Sequence, residues 1–160
     1  MINDAIWRAI KRAKIPTHKG PTGLIQSDGK HPDGATLIPW SRGKAMAWDV
    51  TVPDTYAASH LQSTALEGCS AAKHAAEMKC TKYQELVATH LFFPIAIETA
   101  GTWDKRAMEI IEEIGRLCTI ETDDQRDTAY LFQRISIAIQ RGNALAFTHT
   151  FDTDTDTDST

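Results

Sequence analysis

Residues 31–52, HPDGATLIPWSRGKAMAWDVTV, leave little freedom in how the chain can fold. Two apolar or β-branched runs, Thr36 to Trp40 and Ala45 to Val52, flank the turn-like Ser41-Arg42-Gly43-Lys44, a spacing that predicts an antiparallel hairpin. Asp33 then enters the first strand and Asp49 lies within the second, so closing the hairpin brings two carboxylates together. Asp49 is the sharper signal. Trp48, Val50 and Val52 surround it, and a charge inside an apolar strand is costly unless something pairs with it. Taken alone, Asp49 pairing with a nearby Lys or Arg, or facing solvent on an alternating strand, explains the pattern as well. Pro32-Asp33-Gly34 by itself is an ordinary turn sequence.

The segments around the hairpin read as helices and further short strands. Asn3 is placed to N-cap an amphipathic helix reaching about Lys14, with Ile6 and Ile10 on one face and Pro16 marking its end. From Thr17 to Gly34 the chain is rich in Gly, Pro, Lys and Asp, and Leu24-Ile25 is the candidate for one brief strand there. Ala57 to about Val87 is alanine-rich, with a break expected at Gly68 and good helix formers from Ser70 to Leu86. His90 to Thr99 reads as a buried strand, which Pro94 confines to a sheet edge or a bulge. Two more helices, about Asp104 to Cys118 and Asp124 to Arg141, carry apolar residues at helical spacing, and Gly142 closes the second. The expectation is one α/β domain with a small mixed sheet over residues 1–148, followed by a disordered acidic Thr-Asp tail over 149–160.

The formal net charge of −4 resides in that tail, because Asp152, Asp154, Asp156 and Asp158 account for all of it. A neutral body with local cations such as Lys19, Lys30, Arg42 and Lys44 accommodates a phosphate-bearing partner but lacks the global basicity of a free-standing nucleic-acid binder. Cys69, Cys80 and Cys118 are an odd set without a Cys-x-x-Cys spacing, which argues against a disulfide framework or a self-contained zinc site and for reduced thiols. No apolar run approaches the roughly 20 residues that a membrane span needs, and Met1-Ile2-Asn3-Asp4 does not open a secretory signal. A nuclear or cytoplasmic location without membrane contact is expected.

Two carboxylates on adjacent strands suit a hard cation such as Mg²⁺, which takes oxygen ligands and keeps waters for a phosphate and a nucleophile. A third element comes from the helix AAEMKCTKYQEL, where Lys79 and Tyr83 stand at i and i+4 and share a face, with Lys82 beside them. A cation on that face can hold a water or neutralise charge on a transferring phosphate. A solvated lysine face with a half-buried tyrosine is the simpler alternative.

Pro32-Asp33, a hairpin, Asp49-Val50-Thr51-Val52 and a helix with Lys79-x-x-Lys82-Tyr83 together resemble the restriction-enzyme-like endonuclease of site-specific non-LTR retrotransposon polyproteins, a branch of the PD-(D/E)XK nucleases. The resemblance runs from about Asn3 to Leu91. It implies a core of helix, three strands, helix and strand, with the C-terminal helices as additions. It implies that Asp33 and Asp49 bind Mg²⁺ or Mn²⁺, that Lys79 is the catalytic lysine and that Tyr83 is the tyrosine following it. Most of the superfamily carries the lysine two residues after the second acid, where this chain has Thr51. Implied partners are DNA and further domains of a parent polyprotein, whose upstream zinc knuckle has no counterpart in these residues. His31 stands where the family usually has Arg or Lys, and the interval from Asp33 to Asp49 is slightly long for its pattern.

Arg42, Lys44 and Lys82 are the expected contacts to nucleic acid, the first two as backbone-positioning cations at the hairpin turn. Glu67, Glu77 and Glu98 lie within possible reach of the metal but need no function, and the six histidines are scattered. Arg134 and Arg141 can contact DNA from the last helix, although a solvent role suffices. Two functions follow: a metal-dependent DNA endonuclease domain that nicks target DNA, or a catalytically inactive module of the same fold that holds nucleic acid or a protein.

Overall fold

Strict alternation along one strand sorts the molecule into two layers. Met46 and Trp48 point to one side of the sheet and Ala47 and Asp49 to the other, and all four are buried. The structure, a computed structural model, describes residues 1–25, 29–56 and 70–155. Its elements are α1 (Ile2–Arg12), β1 (Thr17–Lys19), β2 (Gly34–Thr36), β3 (Ala45–Thr51), α2 (Ser70–Lys82), a 3₁₀ turn (Gln84–Ala88), β4 (His90–Ala96), α3 (Lys105–Thr122) and α4 (Asp127–Thr155). The domain is mixed α/β: among the described residues, a four-stranded sheet in the order β1-β2-β3-β4, with β2 antiparallel to both β1 and β3 and β4 parallel to β3.

The larger core lies on the Trp48 side. There Ile6 and Ile10 of α1, Ile111 and Ile114 of α3 and Ile135 of α4 pack over Met46, Trp48 and Ile95. The opposite side is covered by α2, and its contacts are small: Ala72 and Ala76 against Ala96, with Ala35 and Ala47 near Tyr83 and Leu86. Alanine on both surfaces lets α2 approach the sheet closely, which brings a lysine on this helix within reach of a carboxylate on β3.

The hairpin forms as expected, but its first strand is shifted. Instead of Thr36–Trp40 it comprises Gly34–Thr36, because the Thr36 hydroxyl accepts from Met46 N at 2.9 Å and donates to Ile38 O at 2.8 Å, ending the ladder with a side chain. Leu37 and Ile38 are then exposed. Leu24-Ile25 is not a strand. The third antiparallel strand is β1, a polar run with no apolar alternation, aligned Thr17 to Thr36 and Lys19 to Gly34. Ile25 still packs, from a loop, into the smaller cluster.

Asn3 lies inside α1 rather than capping it, and its amide joins α1 to the hairpin. Helix α2 ends at Lys82, short of Leu86, where a 3₁₀ turn takes over. Pro94 does sit in an edge strand, β4. Helix α4 does not stop at Gly142. That glycine lacks the positive φ of a terminating residue, and the helix continues to Thr155. The Ala57–Gly68 stretch, Glu67, His60, Cys69 and residues 156–160 lie outside the described residues. Among the described residues no helix is long and apolar enough to cross a membrane.

Candidate active site

Gly34 faces Trp48 across the β2–β3 ladder, so Asp33 and Asp49 are the next pair along the two strands. Each carboxylate is then fixed by backbone from the opposite strand. Asp33 N donates to Asp49 Oδ1 at 3.1 Å, and Val50 N donates to Asp33 Oδ2 at 2.7 Å. The two bonds form a reciprocal clasp and leave one oxygen of each carboxylate, Asp33 Oδ1 and Asp49 Oδ2, outside the backbone network.

Lys79 Nζ stands 2.7 Å from Asp49 Oδ2. The contact is a close ion pair, so the buried Oδ2 is held by the Lys79 ammonium rather than by a backbone donor. Asp49 is 4% exposed, whereas the Lys79 side chain retains 25% exposure and can move. Burial raises the Asp49 carboxyl above its ordinary value; Lys79 opposes the shift and the Asp33 charge adds to it. A neighbouring cation is what would relieve that cost.

Tyr83 follows the last turn of α2, with Tyr83 N bonded to Lys79 O at 3.0 Å. It is 1% exposed, and its hydroxyl donates to His31 O at 2.9 Å. Burial first, then the Asp49 and Asp33 charges, push the phenol up to about 12, so it remains a donor at neutral pH. It thereby anchors the backbone that leads through Pro32 into Asp33. Tyr83→Phe leaves His31 O without this donor; a loss of about 1 kcal/mol in unfolding free energy is expected, measurable by urea denaturation.

Asn3 supports the same strands from the other layer. Its Oδ1 accepts from Trp48 Nε1 at 2.9 Å, and its Nδ2 approaches Asp33 O at 3.4 Å. Sequence reading assigned Asn3 to a helix cap and missed this role, since nothing local links it to a tryptophan 45 residues away.

Glu98 is not part of the site. Fully buried, it accepts from Ala72 N at 3.1 Å in the first turn of α2 and from Thr55 Oγ1 at 3.2 Å. Glu98→Ala removes an N-terminal helix partner and strands both donors. The expected cost is about 3 kcal/mol, with Glu98→Gln losing less because its carbonyl can still accept from Ala72; equilibrium denaturation of both variants checks this. Glu77 is exposed on α2. Among the described residues, no group of three or more His, Cys, Asp or Glu side chains is placed to hold a metal.

The expected nucleic-acid contacts separate. Lys82 is exposed beside the site, its ammonium 5.0 Å from the Tyr83 ring centre. Arg42 and Lys44 lie at the other end of β3, about 17 Å from Asp49 at strand spacing. There Arg42 adopts a φ of 52°, and Lys44 Nζ donates to Val87 O at 2.8 Å, tying the hairpin turn to the 3₁₀ segment. No family model matches the chain, and no curated protein matches it.

Proposed function

We propose that the chain is a metal-dependent endonuclease domain that hydrolyses DNA phosphodiesters, of the restriction-enzyme-like kind found in retrotransposon proteins. The observation that carries the reading is the Asp33–Asp49 clasp with Lys79 paired to the second oxygen of Asp49. The element order among the described residues also supports it: helix, three strands, helix and strand, as the resemblance implies, with α3 and α4 appended.

The donor set fits Mg²⁺ or Mn²⁺. A buried carboxylate oxygen is met by a partly exposed lysine that can move aside, a second carboxylate is held beside it, and magnesium sites commonly use only one or two protein carboxylates with phosphate and water completing the shell. Asp33 and Asp49 would hold the ion. When bound, it acidifies a water and withdraws charge from the phosphodiester. The chain's own residues supply the rest. Val50 N and Asp33 N fix the carboxylates before substrate arrives, so no ordering is required during reaction. Lys79, released from Asp49 once another cation is present, can donate to a non-bridging phosphate oxygen or hold the attacking water. Tyr83 is a positioning residue, acting through the His31 carbonyl.

Nicking of supercoiled plasmid tests this: wild type converts it to open circle in Mg²⁺ or Mn²⁺ and not in chelator, and Asp49→Ala does not. A wild type inert with both metals would overturn the enzymatic reading and leave the non-catalytic module.

A further inference from the structure

Away from the carboxylates, α1 and α4 form a cleft of about 540 Å³ whose walls carry three guanidinium groups, Arg8, Arg134 and Arg141. Arg134 and Arg141 are seven residues apart on α4, hence on one face and about 10 Å apart along its axis. Arg8 faces them from α1. All three are exposed, and none forms an ion pair among the described residues. The carboxylate in the lining, Asp4, is held by Lys19 Nζ. Apart from Asp4, the described residues that line the cleft include no carboxylate. Three arginines without an ion pair among the described residues, around an acid held mainly by Lys19, make an electropositive cleft in a chain whose net charge is −4.

We infer that this cleft binds the phosphodiester backbone of a nucleic acid, as a second contact distinct from the Asp33–Asp49 site. The spacing suits that ligand: about 10 Å along α4 spans roughly three phosphate steps of one DNA strand at 3.4 Å of axis each. Guanidinium forks match phosphate oxygens in pairs. The cleft and the carboxylates lie in different layers, because α1 and α4 pack on the Trp48 side of the sheet and Asp49 meets Lys79 on the other. Met1, Asp4, Ala5 and Arg8 line it from one face of α1, whereas Asn3, on the opposite face, reaches Trp48 and Asp33. Lys19, which holds Asp4, pairs through its backbone with Gly34. The anchor holds substrate without reading sequence, because phosphates carry none. It would supply the positive charge that the neutral body otherwise lacks.

The inference rests on the nucleic-acid part of the proposed function and not on catalysis, so it is tested without metal. A short labelled DNA duplex, and an RNA duplex of the same sequence, are titrated with the full chain in chelator over a series of salt concentrations. The triple variant Arg8→Gln, Arg134→Gln, Arg141→Gln is expected to bind at least roughly tenfold more weakly, with a log–log salt slope shallower by about 3, near one unit per lost contact. A control that removes three already paired cations, Lys105→Gln, Arg116→Gln and Arg126→Gln, is expected to keep the wild-type slope. The charge-conserving triple Arg→Lys variant keeps most of the slope and excludes a folding defect. The duplex showing the larger loss identifies the backbone as deoxyribose or ribose. Equal binding and equal slope for wild type and the glutamine triple would overturn the inference even if the plasmid is nicked. A slope change without nicking would uphold the cleft and refute only the enzymatic reading. Absence of nucleic-acid binding by the wild type would overturn it as well.

Discussion

Gly34→Ala is expected to destabilise the domain by about 3 kcal/mol or more, the upper end of overpacking effects. A Cβ at position 34 would stand 2.1 Å from Trp48 Cζ2 and 2.4 Å from Cη2, and the indole is fully buried with its Nε1 held by Asn3. The ring cannot retreat without losing that bond and disturbing α1. At about 2–4 °C per kcal/mol for a domain of this size, thermal unfolding should fall by roughly 10 °C. Gly34 owes its identity to a close approach, since its φ is not positive. Trp48→Phe removes the clashing atoms, so the double variant should be less destabilised than the two single changes together. Strictly additive losses would show that the contact is relieved some other way. The candidate site feels the same strain, because Asp33 is the next residue.

Lys79→Met has the opposite signature. Plasmid nicking should drop by roughly 10²- to 10³-fold, the range seen when one charge-stabilising donor is removed from a transition state. The fold should survive, because the lysine side chain is partly exposed and methionine keeps an unbranched apolar stem at that position. Lys82→Met should have a smaller effect, since Lys82 leans over the Tyr83 ring and forms no ion pair with a carboxylate among the described residues. Equal losses in the two variants, or a larger loss at Lys82, would assign the role to the wrong cation.

The hairpin, the helix bearing Lys79 and the edge strand with Pro94 were all legible because each has a local signature: β-branched runs around a Ser-Arg-Gly-Lys turn, an alanine-rich period and a proline in an apolar run. Meeting of Asp33 and Asp49 followed from the hairpin alone, once the register placed Gly34 opposite Trp48. Other features depended on distant residues. Strand β1 is polar and takes its identity only from the ladder it completes, so Leu24-Ile25 attracted the assignment instead. Thr36 closes its strand with a hydroxyl, which no hydrophobic pattern records. Asn3 looked like a cap because capping is local, while its partners Trp48 and Asp33 are contributed by the sheet. Glu98 resembled a spare metal ligand until the start of α2 was found lying on it. Arg8 stood far from Arg134 and Arg141 along the chain and gained meaning only when α1 packed on α4.

Everything proposed for the site depends on Asp33 and Asp49 sharing one ion. Titration of Mn²⁺ into the metal-free protein, with unbound ion followed by electron paramagnetic resonance, tests that directly. One site is expected in the wild type, lost in Asp33→Asn and also in Asp49→Asn although both variants remain folded. A wild type that binds no Mn²⁺, or two single variants that bind it as the wild type does, would contradict the account.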